Sequence, residues 1–260
     1  MLSSWHLGND IVDLADLRHA GKAGNERFLR RVCSEREQED VLSSEDPDRA
    51  LWIRWAGKEA AFKTVSKALG TPPIFIHSHF EVTVLEPTWV ESTRARSHRV
   101  SQEKGGENPG DSSDPPVTRF GEVKYLDFLL PLRIELVGTA LHAVTWLTSS
   151  PVDIPPFSWG STQMSKNDQN WKEVLEPEFS PTEWACISHQ ASALARIAAR
   201  RSMASTLNLA EEDLEIGCGP GKPGRRIPLV LFRGREIPVD LSLSHHGRLL
   251  AWAFLKHPGS

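Results

Sequence analysis

Leu51-Trp52-Ile53-Arg54-Trp55-Ala56-Gly57-Lys58-Glu59-Ala60-Ala61-Phe62-Lys63 is the stretch on which the reading of this chain turns. It reads as a helix that runs on to about Leu69 and is stopped by Gly70. At about 100° per residue, Trp52, Trp55, Ala56, Phe62 and Leu69 fall on one stripe. Glu59 lies near the middle of that stripe and Lys63 one turn later. A carboxylate and an ammonium in an apolar stripe are costly to bury unless they are paired or bind an ion. An ordinary Glu-to-Lys pair at i, i+4 on a solvated face has the same spacing. The flanking sequence has to decide.

Upstream, Asp46-Pro47-Asp48 turns the chain into this helix. Ser34 and Glu37 have the spacing of a capping box that opens another helix. Asn25 to Cys33 is a helical piece whose Arg27, Arg30 and Arg31 give it a basic face. The opening Gly8-Asn9-Asp10-Ile11-Val12-Asp13-Leu14 is expected to be a short strand leaving a Gly-Asn turn. A period of two sets Asp10 in line with Val12 and Leu14, and puts Asp13 on the other face with Ile11. Asp10 is thus a second acid in an apolar row, although a strand-edge Asp that caps a turn looks the same.

Downstream, Pro72-Pro73 breaks the helix and two strand-like runs follow, Ile74 to His77 and Phe80 to Leu85. His77 and His79 alternate on one face, but no third ligand stands nearby and no metal role is assigned to them. Glu91 to Pro116 is nearly free of apolar residues and is expected to be a mobile surface loop. Strands at Val123–Phe128, Leu132–Leu136 and Leu141–Leu147 form an antiparallel sheet under the central helix, closing a first unit at residues 1–150. Residues 151–181, rich in Pro, Ser and Asn, read as a connector.

The second unit, residues 182–260, opens with a helix from about Ala185 to Leu207, on which Arg196, Arg200 and Arg201 suggest a basic face. A short strand at Leu214–Ile216 leads into a Gly/Pro turn carrying Lys222. Gly219 to Gly224 matches a dinucleotide-type glycine pattern only literally, since no helix follows the glycines. Such a turn can still present N–H groups and an ammonium to a phosphate, or simply join two strands. A hairpin ends the chain, Val239–His245 returning as Arg248–Leu255. Ser242 and Ser244 share a face with Asp240, while His245 lies in the row of Leu241 and Leu243, the usual place of a structural histidine. Helix followed by antiparallel strands in each half predicts an α+β fold of two similar lobes packed as a pseudo-dimer.

The totals set outer limits. With 260 residues there is ample length for a core, and a net charge of −4 gives no general drive toward nucleic acid. Cys33, Cys186 and Cys218 are odd in number and lack metal-type spacing, which suits reduced thiols in the cytoplasm. No run approaches the roughly 20 apolar residues of a membrane span, and the N-terminus has no signal pattern.

Taken together, these motifs resemble the 4′-phosphopantetheinyl transferase superfamily. Gly8-Asn9-Asp10-Ile11-Val12-Asp13-Leu14 is similar to its Gly-x-Asp-Ile/Val motif, with Arg27 to Val32 and Ser34 to Glu37 following as expected. Trp55-Ala56-Gly57-Lys58-Glu59-Ala60-Ala61-Phe62-Lys63 is similar to Trp-x-x-Lys-Glu-Ala-x-x-Lys. Gly221-Lys222-Pro223 and Ser242-Leu243-Ser244-His245 resemble the Gly-Lys-Pro and Ser-x-Ser-His motifs. The resemblance covers about residues 5–70 and 185–256. In two-lobed members of the family the Gly-Lys-Pro and Ser-x-Ser-His segments come first; here they come last, as if the lobes were swapped in sequence order.

The resemblance implies transfer of the phosphopantetheine arm of coenzyme A to a serine of an apo acyl or peptidyl carrier protein, with release of adenosine 3′,5′-bisphosphate. It implies Mg²⁺ on Asp10 and Glu59, with Glu59 also the general base for the serine. Lys63 would stabilise the pyrophosphate, and Lys222, Ser244 and His245 would hold the nucleotide end of coenzyme A. Two-lobed members often carry another acid where Val12 stands, so a two-carboxylate metal site is expected, with Asp13 at most an outer-shell group and Glu37 a weak candidate. A single active site is expected, because Ala198-Ala199-Arg200-Arg201 stands where a second Lys-Glu-Ala would fall. Arg27, Arg30 and Arg31 are candidates for steering an acidic carrier protein. A fused pseudo-dimer has no need to trimerise, so a monomer is expected. The alternative is a non-catalytic homologue that binds coenzyme A or a carrier protein, from which loss of transfer in Glu59→Gln would distinguish an enzyme.

Overall fold

The computed structural model describes residues 5–85, 98–99, 116–148, 155–165, 169–219 and 227–257. The first half runs β1 (His6–Asp13), α1 (Glu26–Val32), α2 (Glu35–Leu42), α3 (Pro47–Ala68), β2 (Glu81–Leu85), β3 (His98–Arg99), β4 (Val117–Tyr125), β5 (Phe128–Val137) and β6 (Ala140–Leu147). The second runs β7 (Phe157–Gln163), α4 (Trp171–Leu175), α5 (Pro181–Trp184), α6 (Gln190–Leu207), β8 (Leu214–Cys218), β9 (Pro228–Phe232), β10 (Arg235–Glu236), β11 (Val239–His246) and β12 (Leu249–Lys256). The fold is α+β, a mixture of helices and largely antiparallel sheets.

The central helix begins where its sequence allows. Asp46 caps α3 by accepting from Arg49 N–H, and Pro47 takes the first turn, where its missing N–H costs nothing. Gly70, at φ +67°, lets the chain leave in the left-handed region. Ser34 and Glu37 form the expected capping box on α2. A five-stranded antiparallel sheet in the order β1-β6-β5-β4-β2 carries α3, and Ala56, Ala60, Val65, Phe80, Leu132 and Leu141 are among the residues of the core between them.

The second half holds a four-stranded sheet, β11-β12-β7-β3, and a three-stranded one, β10-β9-β8. Helix α6 packs on them through Ala198, Ala199 and Met203, against Ile216, Leu241, Trp252 and Phe254. The halves also share apolar clusters. Leu7, Val144 and Trp146 of the first sheet meet Phe157, Trp159, Ala253 and Leu255 of the second.

Several expectations differ from what forms. Gly8-Asn9 lies inside β1 rather than in a turn, because a Cβ at Gly8 would collide with the carbonyl oxygen of Ala60 on α3. The glycine is there for close approach. Helix α3 is buried nearly all round, so Glu59 and Lys63 sit on its open stripe instead of inside an apolar face, and Leu69 is 47% exposed. No strand forms at Ile74–His77; His77–His79 is a single 3₁₀ turn whose flanking carbonyls are gripped by Lys58. Val123–Phe128 spans a strand end and a tight turn, with Leu126 at φ +50°. The stretch read as a connector contributes β7, which pairs with β12. Helix α6 begins at Gln190, capped by His189, and its Arg196 and Arg200 are buried, so they form no exposed basic face. Apart from His98, Arg99 and Pro116, the loop expected at 91–116 lies outside the described residues, and so does Lys222. Cys33, Cys186 and Cys218 form no disulfide. No helix among the described residues is long and apolar enough to cross a membrane.

Candidate active site

The site is built on a seam. Strands β1 and β11 lie at facing edges of their sheets, and among the described residues no backbone ladder joins them. Side chains of β11 stand in for the missing carbonyls. Leu7 N–H donates to Asp240 Oδ2 at 2.6 Å, Asn9 N–H to Ser242 Oγ at 3.0 Å, and Asp13 N–H to His246 Nδ1 at 2.9 Å. From α3, two lysines one turn apart take carbonyls of both strands. Lys67 Nζ donates to Leu7 O and Leu241 O, each at 2.7 Å, and to Asp240 Oδ1 at 2.6 Å. Lys63 Nζ donates to Asn9 O at 2.6 Å, to Asp10 Oδ1 at 3.3 Å and to Leu243 O at 3.5 Å. These bonds satisfy the backbone N–H and C=O groups named here, which is what lets two sheet edges meet; Asn9 Oδ1 is buried beside them with no hydrogen-bond partner among the described residues.

Beside the seam opens a cleft of about 570 Å³, lined by Glu59, Phe62, Lys63, His189, Arg196 and His245 among others. Asp10 projects from β1 toward α3 with its side chain 15% exposed. Burial pushes its pKa up to about 6, Lys63 pulls against that, and the Glu59 charge pushes it further up. Glu59, on α3, is 25% exposed and its Oε1 lies 3.4 Å from His77 Nε2. The two carboxylates therefore repel each other in a partly dry setting. A buried carboxylate whose proton affinity is raised by a second acid suits, with that acid, a hard divalent cation such as Mg²⁺.

His245 and Ser244 part company. The His245 ring lies on the cleft and packs edge-on against His189, with centroids 4.5 Å apart. The residue is exposed overall, yet its ring is packed against the cleft wall, and that desolvation, then the neighbouring His189 and Lys63, push its pKa down to about 4, so it is a neutral hydrogen-bonding group at neutral pH. Ser244 is buried and accepts from Asn9 Nδ2 at 3.3 Å, a seam contact. Asp13 is drawn into the turn after β1, its carboxylate accepting from Ala15 N–H. Glu37 is structural. Its Oε2 accepts from Ser34 N–H and, at 2.6 Å, from Lys58 Nζ, and its Oε1 from Val82 N–H. Arg27, Arg30 and Arg31 are exposed on α1, with Arg30 paired to Glu26 and Arg31 over Phe28.

Sequence reasoning did not single out Lys58, Lys67 or Asn9. Lys67 had a readable signal, since Glu59, Lys63 and Lys67 recur at i, i+4 on one face of α3. Asp16, His19 and His246 also bring ligand atoms within 4.8 Å of one another. That trio is already committed: Arg18 takes both Asp16 oxygens, and His246 Nδ1 accepts from Asp13 N–H, which leaves its proton on Nε2. The His19 and His246 rings are stacked at 8° rather than convergent.

Residues 6–107 match the family model described as the 4′-phosphopantetheinyl transferase superfamily, a span that contains Asp10, Glu59 and Lys63. A holo-(acyl-carrier-protein) synthase from Chlamydia caviae is 42% identical over 70 residues, 27% of this chain and 54% of the relative. A protein of the same name from Shewanella frigidimarina is 35% identical over 75 residues, 29% of this chain and 60% of the relative. One from Azoarcus sp. is 43% identical over 65 residues, 25% of this chain and 49% of the relative. The chain thus spans about half the length of the curated relatives it matches.

Proposed function

We propose, from the match of residues 6–107 to the model of the 4′-phosphopantetheinyl transferase superfamily, that this chain transfers the 4′-phosphopantetheine arm of coenzyme A to a serine of an apo acyl or peptidyl carrier protein. The observation that carries the reading is Lys63, which lines a cleft large enough for a nucleotide beside Glu59, one turn away on α3, and reaches Asp10 Oδ1 of β1 at 3.3 Å. The relatives' printed name, holo-(acyl-carrier-protein) synthase, supports the same activity.

In this reading the serine oxygen attacks the pyrophosphate phosphorus next to the pantetheine arm. The P–O bond to the nucleotide breaks, and adenosine 3′,5′-bisphosphate leaves. Glu59 takes the serine proton, directly or through one water. Asp10 and Glu59 would hold Mg²⁺, which would neutralise charge on the pyrophosphate oxygens. Lys63, fixed between β1 and β11, puts a cation at the cleft wall beside Asp10. Neutral His245 donates to the nucleotide end together with Lys222, while Ser244 acts from behind by fixing the strand that carries His245. The exposed arginines of α1 meet the acidic carrier protein. The protein acts as a monomer, and three cysteines without a disulfide suit a reducing cytoplasm.

The test is Glu59→Gln. It should lower transfer at least about 100-fold while leaving binding of the carrier protein and of coenzyme A near wild type. Equal loss of binding and transfer would mean that Glu59 is structural and that the assignment of the base is wrong.

A further inference from the structure

We infer that His77 is a positioning residue for Glu59, holding one carboxylate oxygen so that the other is presented to the cation. The inference rests on the metal reading above and deepens it. Neighbouring residues of α3 grip the same residue from two sides. Lys58, fully buried and anchored by Glu37, donates to the carbonyl of His77 at 3.2 Å and to that of Phe80. Glu59, the next residue, meets the ring of His77, with Oε1 at 3.4 Å from Nε2.

The ring has little freedom. It packs on Trp55 at 4.3 Å and on Phe75 at 4.2 Å between centroids. Its Nε2 is buried and makes no well-aligned hydrogen bond among the described residues, so its approach to Glu59 Oε1 is an ion-pair contact poised to tighten. A ring nitrogen buried against a carboxylate carries its hydrogen there, because a lone pair facing Glu59 would be repelled. The Glu59 carboxylate in turn has no other hydrogen-bond or ion-pair partner among the described residues. One oxygen therefore faces His77 at ion-pair distance and the second is left for the cation or the serine proton. Such outer partners of a ligating carboxylate typically change metal affinity by about 10- to 100-fold when removed.

The pair His77→Phe and His77→Gln tests this. Phe keeps the packing on Trp55 and Phe75 but has no donor; Gln restores an N–H. Binding of Mn²⁺ to the purified full chain, followed by the EPR signal of free Mn²⁺, gives a readout independent of turnover. The expected result is about tenfold weaker Mn²⁺ binding in His77→Phe, substantial recovery in His77→Gln, and unchanged thermal midpoints. A His77→Phe protein that binds Mn²⁺ like wild type would overturn the role of His77. So would a well-folded His77→Gln protein as weak as His77→Phe. No Mn²⁺ binding by wild type, with or without coenzyme A, would overturn the metal reading itself and the inference with it.

Discussion

Asp10 carries an energetic cost that its function explains. Its pKa is raised from 3.8 to about 6, so the folded protein binds this proton more tightly than the unfolded chain does. The stability that the protonated acid contributes is present below about pH 4 and is lost as pH rises through about 6. Two units correspond to at most about 3 kcal/mol. In metal-free protein Asp10→Asn should therefore raise the thermal midpoint at pH 7.5 by a few degrees, with no gain near pH 4. The same substitution should abolish transfer. A fall in midpoint at both pH values would show that the charge is well compensated without a cation. The sequence set Asp10 and Glu59 in apolar rows; Asp10 is mostly buried, whereas Glu59 lies on the open stripe of α3. Glu37 was not separable from them by residue type, because only the fold shows its oxygens already occupied by Lys58, Ser34 N–H and Val82 N–H.

At the scale of elements, the protein depends on how closely β1 approaches α3. Gly8→Ala places a methyl group against the Ala60 carbonyl and the Thr64 backbone, neither of which can rotate away. Chemical denaturation should record a loss of about 1–3 kcal/mol, and transfer should fall further because Asp10 moves with the strand. A neutral outcome would mean that β1 can shift without affecting the site. Lys58→Met tests the other side of α3. It leaves Glu37 buried with two N–H partners but no cation, and it frees the carbonyls of His77 and Phe80. A loss of about 3 kcal/mol is expected, at the low end for breaking a buried pair. Caps and stops of α3 could be read directly from Asp46, Pro47 and Gly70. Its nearly complete burial could not, since one amphipathic stripe and a polar remainder look alike until both sheets are in place.

For the whole molecule, the decisive contacts are long-range. Asp240 and Lys67 meet across 173 residues of sequence, and Ser242 meets Asn9 across 233. Local pattern cannot announce such pairs, although the alternation of β11 did place Asp240, Ser242 and Ser244 on one face. Strand β7 was hidden for a related reason: its Ser and Gly content resembles a loop, yet Phe157 and Trp159 fill the joint between sheets, and Gly160 leaves room for the Trp252 ring. Because the seam joins the two lobes within one chain, light scattering should report a monomer. Lys67→Met should loosen the seam, leaving the Leu7 and Leu241 carbonyls and the Asp240 charge without their cation. Denaturation should then show a loss of about 3–5 kcal/mol together with weaker coenzyme A binding. Wild-type affinity for coenzyme A in that variant would place the nucleotide away from the seam.

The most direct test of the central claim is the intact mass of an apo carrier protein incubated with coenzyme A, Mg²⁺ and this protein. The expected result is a gain of one phosphopantetheine per carrier serine, lost when a chelator removes the metal. An unchanged mass across apo acyl and peptidyl carrier proteins, with coenzyme A bound, would contradict it.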